Sequence, residues 1–275
     1  MSEGVDFLGR IVERKIKENA RRVRRELIYD RALESGAPLD KERGARAIAA
    51  LTRREGEALR VISEIKFSSP SAGSIRARRA GDAVKIASAY RDGGAAAISV
   101  LADRVGFGGS PLDVRRVSSA IERPVLFKEF VLDELQVKLA RLMGASMVLL
   151  LVRVLEQPRL IELIDAIRAE GMEPIVEASN IEETERALLT DATLIGVNSR
   201  DLRTFKVEPE NAARALSMIP RDRVAIFMSG MKAEEDFIRV GSGRADAALV
   251  GEGLMRQGDP AASLERFIAV TDGRR

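Results

Sequence analysis

The chain contains no cysteine, no histidine and no tryptophan in its 275 residues. Without Cys and His, Ser-His-Asp and Cys-His nucleophilic catalysis are excluded. So are zinc sites built on those ligands, disulfides and thiol redox chemistry. Acid–base work must therefore fall to Lys, Glu, Asp, Tyr or Arg. A carboxylate site for Mg²⁺ stays open in principle. No carboxylate cluster in the sequence demands one. Long apolar runs are also missing, none approaching the roughly 20 residues of a membrane span. The N-terminal stretch MSEGVDFLGRIVERK carries acids and lacks the uninterrupted apolar core of a signal peptide. The expected location is the cytoplasm, with no membrane partner.

An excess of one charge is absent too. The 45 basic and 42 acidic residues leave a net charge of only +3. The densest basic cluster is Arg21, Arg22, Arg24 and Arg25, and it is interleaved with Glu18 and Glu26. It reads as the solvated face of an amphipathic helix. No aromatic–basic alternation offers a base-stacking surface, so nucleic acid is not an expected partner.

Hydrophobic residues make up 45% of the chain, and the length suits one large α/β domain spanning residues 1–275. After residue 60 the chain alternates. Short apolar runs occur at Val61–Ile65, Ala97–Leu101, Val125–Lys128 and Met147–Val152. Four more follow at Glu173–Glu177, Thr193–Val197, Val224–Met228 and Ala247–Val250. Between them lie amphipathic segments such as Asp82–Asp92, Asp133–Leu142, Glu156–Glu170, Ile181–Leu189 and Glu234–Val240. The runs are continuously apolar, as in a parallel sheet covered by helices, and each spacing fits one βα unit. Eight such units predict a (β/α)₈ TIM barrel. A doubly wound open sheet is the alternative, but no G-x-G-x-x-G follows the first strand. Residues 1–60 predict a helical extension that packs on the barrel. Phe7, Leu8, Ile11 and Val12 show helical spacing, and a second helix is expected around Lys41–Arg54.

In such a barrel the chemistry sits at the C-terminal ends of the strands. Glu64 and Lys66 stand two residues apart at the end of the first strand, so the pleat puts both on one face. Lys128 ends the third strand, Glu177 the fifth, and Asn198 and Arg200 follow the sixth. Any one of these reads as a solvated charge. Two lysines and two glutamates at one mouth form a set whose pKa values can be tuned for acid and base duty. Ser229-Gly230 and Gly251-Glu252-Gly253 follow the last two strands, where such barrels bind phosphate. This favours a phosphorylated small-molecule substrate. Glu252 would have to point its side chain away and offer only its amide.

These residues carry a resemblance to the indole-3-glycerol phosphate synthase family over roughly residues 5–270. The motifs are ExKxxSPS at Glu64–Ser71, SVL…FGGS at Ser99–Ser110, KEF at Lys128–Phe130, GMEPIVE at Gly171–Glu177 and GVNSRDL at Gly196–Leu202. The resemblance implies ring closure, decarboxylation and dehydration of 1-(2-carboxyphenylamino)-1-deoxyribulose 5-phosphate, with no cofactor. It implies Lys128 as general acid, Glu177 as base, Lys66 at the substrate carboxylate and Glu64 as the carboxylate holding both lysines. Asn198 would bind a substrate hydroxyl or carboxylate, and Arg200 would organise the acids of the mouth. Pro70, Phe107, Phe130, Leu149 and Leu151 would line a slot for the aromatic ring. Ser69, Ser229, Gly230, Gly251 and Glu252 would border the substrate or its phosphate. The oligomeric expectation is a monomer or weak homo-oligomer.

The chain departs from the family at Met228-Ser229-Gly230, where the family usually reads E-S-G. A carboxylate facing the lysines is replaced by an apolar filler. This keeps open a degenerate barrel that binds a phosphosugar with weakened or lost activity. Glu129, where the family often has Asp, and Phe67, where it often has a basic residue, are smaller departures. A related barrel, phosphoribosylanthranilate isomerase, typically uses a Cys that this chain lacks.

Overall fold

A computed structural model describes residues 7–36, 38–70, 72–200 and 206–273. Ser71 of the first motif and Asp201-Leu202 of the last lie outside the described residues. The eight barrel strands are β1 (Arg60–Ile65), β2 (Ala97–Leu101), β3 (Val125–Lys128), β4 (Met147–Leu151), β5 (Glu173–Ala178), β6 (Leu194–Asn198), β7 (Val224–Met228) and β8 (Ala247–Val250). They close into one parallel barrel in sequence order, β8 pairing back onto β1 through Arg60 with Ala247 to Ser63 with Val250. The open-sheet alternative is thereby overturned. No helix among the described residues is long and apolar enough to cross a membrane.

The strand boundaries differ from the sequence reading in ways that matter at the mouth. β4 stops at Leu151 because Val152 opens a 3₁₀ turn, Val152–Val154. β6 runs one residue later than expected, so Asn198 is the last strand residue and not a loop residue. β5 extends to Ala178. Asp133 is a cap rather than the first helical residue, its side chain accepting from the Leu135 amide.

The N-terminal extension holds three helices where two were expected. They are α1 (Phe7–Arg22), α2 (Glu26–Glu34) and α3 (Arg43–Leu51), with a 3₁₀ turn at Val23–Arg25 breaking α1 from α2. Arg21, Arg24 and Arg25 are exposed at this break. α3 is shorter than the expected Lys41–Arg54 because Thr52 turns to an extended ψ of 131°. It closes the N-terminal end of the barrel. Ala47 and Leu51 are wholly buried and cluster with the inward residues Ile62, Ala97, Met147, Ile175 and Leu194. Fully burying Leu51 contributes about 1.5–3 kcal/mol. Gly44 permits the close approach: a Cβ there would lie 3.0 Å from the Met172 carbonyl carbon.

α1 covers the opposite end. Its buried stripe is Ile11, Lys15 and Asn19, four residues apart and therefore on one face. Ile11 joins Phe130, Leu149 and Leu151 in the inner core. Lys15 is buried, with its Nζ 2.8 Å from Asp103 Oδ2 and 3.0 Å from Glu129 Oε1. Arg14 also reaches Asp103, at 2.5 Å. Asn19 donates to Gln136 Oε1 at 2.8 Å, and Gln136 donates onward to the Phe130 carbonyl at 2.8 Å. Burial alone would lower the Lys15 pKa, but Glu129 and Asp103 outweigh it and raise the value. Burial, aided by Asp103 and opposed by Lys15, pushes the Glu129 carboxyl up.

Removing Lys15 from this cluster leaves the Glu129 carboxylate buried and uncompensated, with Arg14 alone on Asp103. Lys15→Met is expected to destabilise the fold by about 3–5 kcal/mol, read from denaturant unfolding. The Lys15→Met/Glu129→Gln double variant should regain part of that loss. An unchanged midpoint in the single variant would show that the cluster does not hold α1 in place.

Candidate active site

The inner core fixes which side chains reach the mouth. Inward residues follow the two-residue pleat: Ile62 on β1, Ala97 on β2, Leu126 on β3, Ile175 on β5, Leu194 on β6, Ile226 on β7 and Leu249 on β8. Continuing each series by steps of two gives Glu64 and Lys66, Ser99 and Leu101, Lys128, Glu177, Gly196 and Asn198, Met228 and Gly251. The apolar layers thus pass into a ring of polar groups at one end of the barrel.

These groups meet in one pocket. Glu64, Lys66, Lys128, Glu177, Asn198 and Arg200 line it together, with Ser69, Pro70 and Ser229 at its edge. Lys66 Nζ lies 2.9 Å from Glu64 Oε1. Lys128 Nζ lies 3.1 Å from Glu177 Oε2. Both glutamates are 3% exposed, while the lysine side chains keep 19% and 15% exposure toward the cavity. Burial would push the Glu64 carboxyl up, but the charges of Lys66 and then Lys128 outweigh it and hold it below the usual carboxylate range. Glu64 is therefore an anion at neutral pH, bonded to Lys66 and acting on Lys128 through its field.

Asn198 has protein partners in addition to the substrate contact expected of it. Its amide nitrogen donates to Glu177 Oε1 at 2.9 Å, and its Oδ1 accepts from the Arg200 amide at 3.0 Å. Both ends are engaged by the protein, so Asn198 orients Glu177. With Lys128 on one oxygen and Asn198 on the other, the Glu177 carboxylate has a fixed plane.

The apolar wall holds every residue expected there: Pro70, Phe107, Phe130, Leu149 and Leu151. The Phe107 and Phe130 rings stand 6.1 Å apart at 36°, a tilted pair. Sequence reasoning missed Leu101 and Leu249, and it missed Phe7 and Leu8 of α1, which also border the pocket. The helical spacing of Phe7 and Leu8 marked them as a packing face, but no local signal said that the face lies over the mouth.

Gly230, Gly251 and Glu252 are not among the residues lining the pocket, although Gly251 adjoins Glu64 and Lys66. A Cβ on Gly230 would fall 2.7 Å from Val207 Cγ1, and Ser229 before it takes a left-handed φ of 70°. The Glu252 side chain turns to Arg256, with Nε 3.0 Å from Oε1. Met228 is 1% exposed and turned into the barrel layer, where its sulfur occupies the space left by the missing side chain of Gly196. It is the register partner of Asn198 on the neighbouring strand and leaves no carboxylate there. Glu129 is among the residues lining the pocket, with its carboxylate bound to Lys15. Phe67 is buried, with the Arg78 guanidinium 5.6 Å from its ring centroid. A larger cleft, about 650 Å³, opens at the other end of the barrel. Its Arg46 and Arg60 are already paired with Asp40 and Glu57.

The family model described as indole-3-glycerol phosphate synthase matches residues 8–267. The chain is 40% identical over 235 residues to indole-3-glycerol phosphate synthase of Streptomyces griseus, covering 83% of this chain and 86% of that one. It is 40% identical over 255 residues to the enzyme of the same name from Kineococcus radiotolerans, covering 90% and 92%. Among solved structures, 3-hexulose-6-phosphate synthase from Salmonella typhimurium is similar with a TM-score of 0.63. That match has 12% identity and covers 79% of this chain and all of the other, a likeness of fold alone.

Asn198→Ala is expected to lower kcat roughly tenfold with little change in KM, because Glu177 loses its orienting donor. Steady-state kinetics measure this; an unchanged kcat would remove Asn198 from the positioning of Glu177.

Proposed function

The chain belongs to the indole-3-glycerol phosphate synthase family, and we propose that the Lys/Glu set of its mouth divides that reaction among Lys128, Glu177, Lys66 and Glu64. The activity is that of a carboxy-lyase of tryptophan biosynthesis. The substrate, 1-(2-carboxyphenylamino)-1-deoxy-D-ribulose 5-phosphate, closes its ring and loses CO₂ and water to give indole-3-glycerol phosphate.

The observation that carries the assignment is the Lys128–Glu177 contact of 3.1 Å inside an apolar-walled mouth. Ring closure needs a proton on the ketone oxygen as the aromatic carbon attacks it. Lys128 is the ammonium group placed to supply that proton. Loss of CO₂ follows, and dehydration then needs a base, for which Glu177 is oriented. Lys66 meets the substrate carboxylate and gives a proton to the departing hydroxide. Glu64, anionic and buried, holds Lys66 in place through their 2.9 Å contact and attracts Lys128. The anthranilate ring enters between Phe107, Phe130, Pro70, Leu149 and Leu151. Arg200 organises the acidic side of the mouth.

The phosphate goes to the rim formed by Ser229-Gly230 and Gly251-Glu252. The Glu252 and Gly253 amides precede the first backbone bonds of the short helix Glu252–Met255, which run from Leu254 and Met255 to the Gly251 carbonyl, and the Glu252 side chain is turned to Arg256. The degenerate-barrel alternative draws no support, because the paired acid and base are intact. We further read the extension 1–60 and the barrel as one folding unit in a cytoplasmic monomer or weak homo-oligomer, with no nucleic-acid partner. The contact of Lys15 with Asp103 and Glu129 and the small net charge support this.

Indole fluorescence should appear when the purified protein meets the anilino-deoxyribulose phosphate, and binding without turnover would sink this reading. Lys128→Ala should lower turnover by about 10²–10⁴-fold with the fold intact by circular dichroism. Met228→Glu should change kcat by more than about threefold and move the basic limb of the pH profile upward, since a new carboxylate favours charged lysines. An unmoved profile would make position 228 irrelevant to the chemistry.

A further inference from the structure

Ser99 lies in the middle of β2, wholly buried, with an apolar inward neighbour on each side in Ala97 and Leu101. A serine there is odd for a barrel interior. An alanine would pack as well without desolvating a hydroxyl. Its place in the register explains it: across the β1–β2 seam Ser99 is the direct partner of Glu64. The hydroxyl makes no complete hydrogen bond among the described residues, although the Glu64 carboxylate is the acceptor it faces and it helps keep that group charged.

The other flank of Glu64 is Gly251, the inward position after β8. A Cβ there would fall 2.5 Å from Glu64 Oε1 and 3.2 Å from Lys66 Nζ. The bare α-carbon is therefore the space in which the carboxylate and the ammonium meet. Glu64 stands between a hydroxyl on one strand and a hydrogen-only residue on the other.

Its strong partner is mobile by role. On the synthase reading, on which this inference rests, Lys66 leaves Glu64 to meet the substrate. Glu64 is 3% exposed and cannot turn to bulk water for a replacement donor. We propose that Ser99 and Gly251 are positioning residues for Glu64. Gly251 leaves the carboxylate its room, and the Ser99 hydroxyl takes over as donor when Lys66 turns to the substrate. Ser99 thereby lets Lys66 move without leaving a buried anion unpaired.

The test compares Ser99→Ala with Ser99→Thr, which keeps the hydroxyl. Ser99→Ala is expected to lower kcat roughly tenfold, leave KM within about twofold and move the acid limb of the pH profile to higher pH. Ser99→Thr should restore most of the rate and the limb. A kcat and an acid limb unchanged in Ser99→Ala would overturn the proposal. So would an equal loss in both variants, which marks packing alone. A measurement without turnover separates this from the synthase reading. In ¹³C-glutamate-labelled Lys66→Met protein, with Glu64→Gln to assign the signal, Glu64 should titrate at higher pH once Ser99→Ala is added. An unmoved titration overturns the role of Ser99, whereas absent turnover in the wild type counts against the synthase reading only.

Discussion

The pleat of a closed parallel barrel is the constraint on which the rest depends. Each strand sends every second side chain inward, and closure fixes where each inward series ends. The apolar layers at Ile62, Leu126, Ile175 and Leu194 need only one or two further steps to become Glu64, Lys128, Glu177 and Asn198. The same steps set two glycines inside the ring. Gly196 gives its space to Met228, and Gly251 gives its space to the Glu64–Lys66 pair. The polar ring of the mouth is thus a continuation of the core.

Buried charge is tolerated at this end because each anion has a named donor. Glu64 leans on Lys66, and Glu177 is held by Lys128 and Asn198. Glu129 and Asp103, just outside the ring, share Lys15 from α1. Leaving any of these carboxylates alone would cost several kcal/mol in a desolvated site. The outer cluster joins the chemistry to the fold. Glu129 follows Lys128 directly, so the helix that covers the mouth is tied to the segment that presents Lys128. Charge compensation therefore does two tasks at neighbouring positions: it holds Glu64 charged at the mouth and it seats the cover.

Much of this was legible from local pattern. The eight strands announced themselves as continuous apolar runs, and their ends named Glu64, Lys66, Lys128 and Glu177 correctly as pocket residues. The aromatic slot came from the family resemblance, and Phe107 and Phe130 do line the pocket. What could not be read were features set by pairing between distant segments. The resemblance named Asn198 as a substrate contact; its bond to Glu177 shows only in the β5–β6 neighbourhood. Helix α2 escaped because its Leu27 and Ile28 are exposed and give no buried stripe to detect. Gly230 and Gly251 looked like anion loops, whereas close packing against Val207 and Glu64 also demands glycine there.

The sequence by itself determined which residue types could perform the chemistry, since without His or Cys acid–base work falls to Lys, Glu, Asp, Tyr or Arg. It also determined the barrel, because strand and helix periods are local properties of the chain. The tertiary structure decided the partners. Lys15 and Glu129 lie 114 residues apart, and Glu177 lies 49 from Lys128, so no local signal links them. Those contacts exist only once closure of the barrel has set the distances, and distance decides which donor each buried carboxylate receives.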